Sequence, residues 1–236
     1  LESLHMDPIS YNYGMWVVAA FNVGIFLFFV ISFLAPKGQA EWRNMGVTVA
    51  FLVALFSEMY GFPLTIYLLT SWFGEAYPAL DPFSHKLGHL WVVALGGSDA
   101  AWAVIMALSL MFMVAGYALL SKGWRQVHGN QGQMVTDGLY GFVRHPQYTG
   151  LYLVIAGFLI QWPTLITVLM APVLLYAYAR LARQEENAMR EQFGADYSTY
   201  AEPLPRFFPP LADWYAFLFC PVPDQTDKGG VQWTDS

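Results

Sequence analysis

From Pro146 to Ala179 the chain carries no charged side chain. One unbroken helix over that run would be about 51 Å long at 1.5 Å per residue. The hydrocarbon core of a bilayer is only ~30 Å thick, so a single span at modest tilt does not accommodate it. Pro163 lies near the middle, directly after Gln161-Trp162. The pattern predicts a tight helical hairpin: one helix to about Trp162, a turn, and a second helix from Thr164. Pro163 is then expected in the first helical turn, where its missing N–H costs little.

Three further runs have the same character. Tyr11–Leu34 is uncharged, and it is too long and lacks the basic flank for a cleaved signal peptide. Between Arg43 and Glu75 the only charge is Glu58, and Ala100–Leu120 has none. About five transmembrane helices follow, and the fold class expected is an all-α integral membrane protein. Composition agrees: 56% of residues are hydrophobic, 17% aromatic and only 12% charged. That excludes a disordered chain, a coiled coil and a disulfide scaffold, and the single Cys220 has no internal partner. The net charge is −6 with no basic run, so nucleic acid is not an expected partner.

Basic residues orient the spans. With the N-terminus outside, Lys37, Arg43, Lys122, Arg125, Arg144, Arg180, Arg183, Arg190, Arg206 and Lys228 all fall inside, leaving only Lys86 of the eleven outside. The expected topology is therefore N-terminus outside and C-terminus cytoplasmic. The polar segment Ser121–Arg144 and the tail from Arg180 share the cytoplasmic side and flank the hairpin.

No GxGxxG follows a strand pattern, and GxSxG, HExxH and cysteine clusters are all lacking. The stretch Gly138-Leu139-Tyr140-Gly141-Phe142-Val143-Arg144-His145-Pro146-Gln147-Tyr148-Thr149-Gly150 instead gathers a guanidinium, an imidazole and two phenols where a polar loop enters the membrane. A bland reading is a snorkelling Arg with interface aromatics. The second cluster follows the hairpin: Arg180, Arg183, Glu185, Glu186, Phe193-Gly194, Tyr197, Tyr200 and Arg206-Phe207-Phe208-Pro209. Arg183 and Glu186 are three apart and share a helix face, suited to a local ion pair. An Arg-His loop facing a Glu-Glu helix end can hold a zwitterionic amino-acid moiety.

The two ordered blocks, Arg144-His145-Pro146-x-Tyr148-x-Gly150 and Glu185-Glu186 through Pro209, resemble the integral-membrane methyltransferases, the isoprenylcysteine carboxyl methyltransferase and phospholipid N-methyltransferase superfamily. The resemblance covers roughly Ser121 to Pro209. It implies S-adenosylmethionine as cofactor, S-adenosylhomocysteine as product and a cytoplasmic cofactor pocket. It implies cofactor contacts from Gln126, Val127, His128, Leu139, Tyr140, His145, Pro146, Glu185, Glu186 and Tyr197. Arg144, Tyr148 and Glu186 are the residues it would put at the chemistry. Arg144 suits a carboxylate or an anionic substrate group through a bidentate fork. Tyr148, Tyr197 and Tyr200 suit the adenine or the sulfonium, whose charge favours aromatic faces.

The implied function is methyl transfer to a lipophilic or small acceptor, a carboxylate, amine or thiol, with membrane lipids as partners. Two alternatives stand beside it. Sterol reductases carry a similar Arg-His-Pro-x-Tyr block and use NADPH, but are larger, and an acidic residue expected after the block is replaced here by Gly150-Leu151. A non-catalytic membrane protein would draw on Glu58 and the outer histidines. The regions expected are 1–120, three spans with a long outer loop at 73–99; 121–209, cofactor binding, with the hairpin at 146–179; and 210–236, an interfacial tail around Trp214–Phe219. Glu58 is costly inside a span unless paired or facing a cavity. His85 and His89 have metal-compatible spacing with Asp81 nearby, but no further ligand motif accompanies them, and no metal is expected.

Overall fold

The structure is a computed structural model that describes residues 13–34, 39–73, 88–129 and 133–221. Among them every regular element is helical: α1 (Trp16–Leu34), α2 (Gln39–Phe56), a π-helical turn (Ser57–Gly61), α3 (Leu64–Phe73), α4 (Leu90–Ala94), α5 (Asp99–Gly129), α6 (Pro146–Gln161), α7 (Leu165–Phe193), α8 (Ala195–Ala201) and α9 (Trp214–Phe219). Among the described residues, four segments are long and apolar enough to cross a membrane: Trp16–Leu34, Trp42–Gly61, Asp99–His128 and Leu165–Phe193. They leave large apolar side chains uncovered, Val17 at 84% exposure and Leu169 at 74% among them. Such a surface belongs in lipid, and the protein is an integral membrane protein.

The chain divides into two compact units. The first comprises 1–114 and 152–181. Its centre is aromatic: Phe26 of α1 stacks on Phe56 of α2 at 5.4 Å between centroids, and Phe158 of α6 meets both rings edge-on at 4.9 and 5.7 Å. Gly157 lets α6 lie against α5, since a Cβ there would stand 2.7 Å from Met113 Cγ. The Ser109 hydroxyl donates to the Gly157 carbonyl across that contact at 3.0 Å. Small residues at close helix crossings are the common device inside membranes.

The hairpin is present. Its turn is Trp162-Pro163-Thr164, and Thr164 caps α7: its hydroxyl accepts from the Thr167 N–H at 3.0 Å, while the Thr167 hydroxyl accepts from the Thr164 N–H at 3.1 Å. Pro163 therefore precedes the cap rather than entering the first turn, because the threonine pair supplies a reciprocal capping box. At the end of α6, Trp91 Nε1 donates to the Leu159 carbonyl at 3.0 Å and His89 Nδ1 lies 2.9 Å from the Gln161 carbonyl. These contacts give His89 a place at the helix end; His85 and Asp81 lie outside the described residues.

Two expected spans differ in detail. The Arg43–Glu75 run is not one helix. Pro63 lacks an N–H and drives Phe62 to extended backbone (φ −129°, ψ 120°), so α2 ends in a π turn and α3 begins afresh. In the hairpin, α6 has 16 residues, about 24 Å, shorter than the four spanning segments.

The second unit comprises 115–151 and 182–236. It holds the polar end of α5, the start of α6, the end of α7 and everything after it. Both α5 and α7 run well past their uncharged stretches, so Lys122, Arg125 and the residues from Arg180 to Arg190 are helical rather than loop. Gly150 sits on α5, where a Cβ would be 2.6 Å from the Gly116 carbonyl oxygen. Near the end of the described chain, Phe217 of α9 is fully buried against Phe142 and Trp214, and Lys122 Nζ donates to the Leu218 and Cys220 carbonyls at 2.9 and 3.0 Å.

Candidate functional site

Within the second unit, backbone geometry brings the two motif blocks together. Pro146 is the first residue of α6, a position whose N–H is orphaned in any helix. The amides just before it are satisfied from afar: Arg144 N–H donates to the Pro205 carbonyl and His145 N–H to the Arg206 carbonyl, both at 3.0 Å. The Thr149 hydroxyl adds a bond to the Phe207 carbonyl. Gly194 makes the turn from α7 to α8 that the returning chain needs, with φ +56°, a region glycine enters freely.

Glu186 is the hub of this arrangement and only 1% exposed. Arg206 grips it with both arms, Nε to Oε1 and Nη2 to Oε2, each at 2.8 Å. Arg144 Nη1 stands 3.1 Å from Oε1, His145 Nε2 3.2 Å from Oε1, and Arg190 Nη2 3.8 Å from Oε2. A carboxylate removed from water is tolerated only when so compensated. The partner on its own helix is Arg190, four residues on, while Arg183 is exposed and takes no part.

Glu185, one residue earlier, points to a different side and keeps 41% of its side-chain surface. Its Oε1 accepts from the Tyr148 hydroxyl, and its Oε2 lies 3.4 Å from His145 Nδ1. His145 thus has a carboxylate at each ring nitrogen. Burial pulls its pKa down, but the hydrogen bonds and charges of Glu185 and Glu186 outweigh that and leave it raised. Its ring stacks on Tyr148 at 5.6 Å and lies 5.9 Å from Phe207.

Phenols complete the wall. Tyr197 of α8 is buried, hydrogen-bonds Arg144 and lies under the Arg190 guanidinium at 5.7 Å. Burial first, and then the charge of Glu186, raise its pKa. Tyr140 is raised by burial and by Glu185, and its carbonyl accepts the Tyr200 hydroxyl at 2.8 Å. Both phenols are held in the neutral form.

Of the residues singled out from sequence, Arg144, His145, Tyr148, Glu185, Glu186 and Tyr197 converge here, with Tyr140 close enough to feel the charge of Glu185. Gln126 is buried at the end of α5 and shapes the loop: its Oε1 accepts from Leu139 N–H at 3.3 Å. Leu139 is itself buried. Val127 and His128 lie exposed on the last turn of α5, where the His128 ring stacks on Trp124 at 4.1 Å. They take no part in the cluster's ion pairs.

Arg206 and Arg190 were not singled out as site residues. Arg206 was visible in the Arg-Phe-Phe-Pro block, and Arg190 in its four-residue spacing from Glu186. Among the described residues, the buried N–H groups Arg144 Nε and Trp124 Nε1 have no hydrogen-bond partner. With His145 protonated, the cations Arg144, His145, Arg190 and Arg206 outnumber the carboxylates Glu185 and Glu186. That excess of positive charge is chemically suited to an anionic group.

Residues 100–196 match the phospholipid methyltransferase family. The match covers less than half of the chain but takes in most of α5, all of α6 and α7, and the residues from Arg144 to Glu186. It supports a methyltransferase in a membrane, in agreement with the resemblance carried by the two motif blocks. No curated protein and no solved structure gives a significant match. Tyr197, Tyr200 and Arg206 fall beyond the matched segment, yet the fold ties each of them to it.

Proposed function

We propose that this protein transfers a methyl group from S-adenosylmethionine to a lipophilic acceptor, with the second unit as the cofactor site. The observation that carries the reading is the coincidence of the family-matched segment with the Arg144–His145–Tyr148–Glu185–Glu186 cluster.

The residues present fit such a cofactor. Arg144 has a buried Nε without a partner among the described residues, suited to a carboxylate. Glu185 is the half-exposed acid, suited to an ammonium or to ribose hydroxyls. Tyr148 and His145 offer aromatic faces beside it, favourable to a sulfonium. When bound, S-adenosylmethionine supplies a methyl carbon open to nucleophilic displacement.

The protein's part is to position and to exclude water. Glu186 orients Arg144 and His145 through its ion pairs and is closed off from water. His145 is held between two carboxylates, and the Tyr148 hydroxyl is given to Glu185. No member of the cluster stands ready as a free base, which supports an acceptor that arrives already deprotonated, a carboxylate foremost. The basic residues argue for a cytoplasmic site with the N-terminus outside.

Calorimetry on the detergent-solubilised protein tests the cofactor, with S-adenosylhomocysteine and NADPH as separate titrants. Binding of the first alone is expected; binding of NADPH alone would transfer the reading to a reductase. Methyl transfer from labelled S-adenosylmethionine to paired long-chain and chain-free acceptors tests the acceptor class. Equal turnover of both would remove the lipophilic acceptor.

A further inference from the structure

Glu58 is 4% exposed and sits in the π turn that ends the second spanning segment. Its Oε2 accepts from Thr65 N–H at 2.9 Å, across the break at Phe62-Pro63. Its Oε1 is buried with no hydrogen-bond partner among the described residues. The hydroxyls of Thr65 and Thr164 lie beside the carboxyl group. Thr65 Oγ1 also receives Leu165 N–H at 2.9 Å, which fixes α3 to the start of α7. At the other end of the turn, Gly14 N–H bonds the Tyr60 and Gly61 carbonyls and Met15 N–H bonds Tyr60, at 2.8 to 2.9 Å. Gly61 is needed there, since a Cβ would fall 2.5 Å from the Trp16 ring.

This is a helix interrupted within an apolar stretch, with an acid at the interruption. Unwound backbone of that kind coordinates monovalent cations in membrane proteins, and π turns recur at functional sites. A proton on Oε1 would neutralise the acid and give its O–H to one of these hydroxyls, the outcome in which no sodium binds. A divalent ion would leave an uncompensated positive charge in an apolar setting. A single positive charge among oxygen ligands neutralises the acid without that excess. The geometry points to a monovalent-cation site, sodium-like in chemistry, formed by the Glu58 carboxylate, the Thr65 and Thr164 hydroxyls and the carbonyl end of the π turn. It lies in the first unit and does not depend on the methyl-transfer reading.

Radiosodium binding to the full-length protein in nanodiscs, with unlabelled Na+ as competitor and choline at equal ionic strength as control, tests the proposal. Saturable binding to the wild type is expected, lost in Glu58→Gln and at least tenfold weaker in Glu58→Asp, which keeps the charge but withdraws it. Thermal unfolding should rise with Na+ over choline in the wild type and stay flat in Glu58→Gln. No saturable binding in the wild type overturns the site, whatever the variants do. Equal binding by a folded Glu58→Gln does so too.

Discussion

Glu186 and Arg206 hold each other through two bonds of 2.8 Å, Nε to Oε1 and Nη2 to Oε2, around a carboxylate shut off from water. The pair is twenty residues apart in sequence and ties the end of the second motif block to α7. Removing Arg206 leaves Glu186 with only the single contacts of Arg144, His145 and Arg190, a loss of about 1.5–3 kcal/mol for the charged hydrogen bonds. Arg206→Ala is expected to lower thermal stability by that order, and Arg206→Lys to restore only part of it, because an ammonium has no two-armed fork. Thermal unfolding in detergent checks this. Full recovery with lysine would contradict the bidentate account.

The two adjacent acids are expected to behave differently. Glu185 is partly exposed, so Glu185→Gln should leave the melting temperature nearly unchanged and weaken S-adenosylhomocysteine binding about tenfold, the loss of one charge-assisted bond. Glu186→Gln should lower both stability and binding. The comparison is made by calorimetry beside thermal unfolding. Equal stability losses in the two variants would remove the distinction between hub and contact.

His145 sets a pH dependence. Its folded pKa is raised above the unfolded value of about 6.5. A raised cation stabilises fully below the unfolded pKa, and that contribution is lost as pH rises through the folded one. Thermal stability of the wild type is expected to fall as pH rises above about 6.5 more steeply than that of His145→Gln. Parallel profiles would show that the imidazolium adds nothing.

Gly150 and Gly46 form a paired test of close packing. A Cβ at Gly150 meets the Gly116 carbonyl oxygen at 2.6 Å and Leu120 N at 3.0 Å, both backbone atoms, whereas one at Gly46 meets nothing. Gly150→Ala is expected to cost about 1–3 kcal/mol. Gly46→Ala, in the open interior of a helix, should be neutral or stabilising by up to ~1 kcal/mol. Unfolding curves that rank the two the other way would refute the α5–α6 approach.

The hairpin was legible because a proline interrupts an uncharged run too long for one span, and its turn falls within a residue of the expectation. Pro63 carries the same kind of signal, which a count of charges alone does not weigh, and it breaks the second apolar run at Phe62. The motif blocks were legible as blocks. Which acid turns inward was not, since neighbouring residues on a helix point about 100° apart and only packing decides between them. Arg206 was hidden for a related reason: its reach to Glu186 depends on the positive-φ turn at Gly194 and the return of the chain through α8.

The backbone bonds from Arg144 and His145 to Pro205 and Arg206 also set an order of events during synthesis. Glu186 leaves the ribosome before its two-armed partner exists, together with the cations of Arg144 and His145 already made upstream. At about 5–20 residues per second, the interval to Arg206 lasts on the order of seconds. Throughout it a carboxylate destined for burial remains without its strongest counter-charge. The cluster therefore closes late, with the delivery of residues 205–207, and a nascent chain arrested before them holds most of the site's charged side chains without the clasp that assembles them.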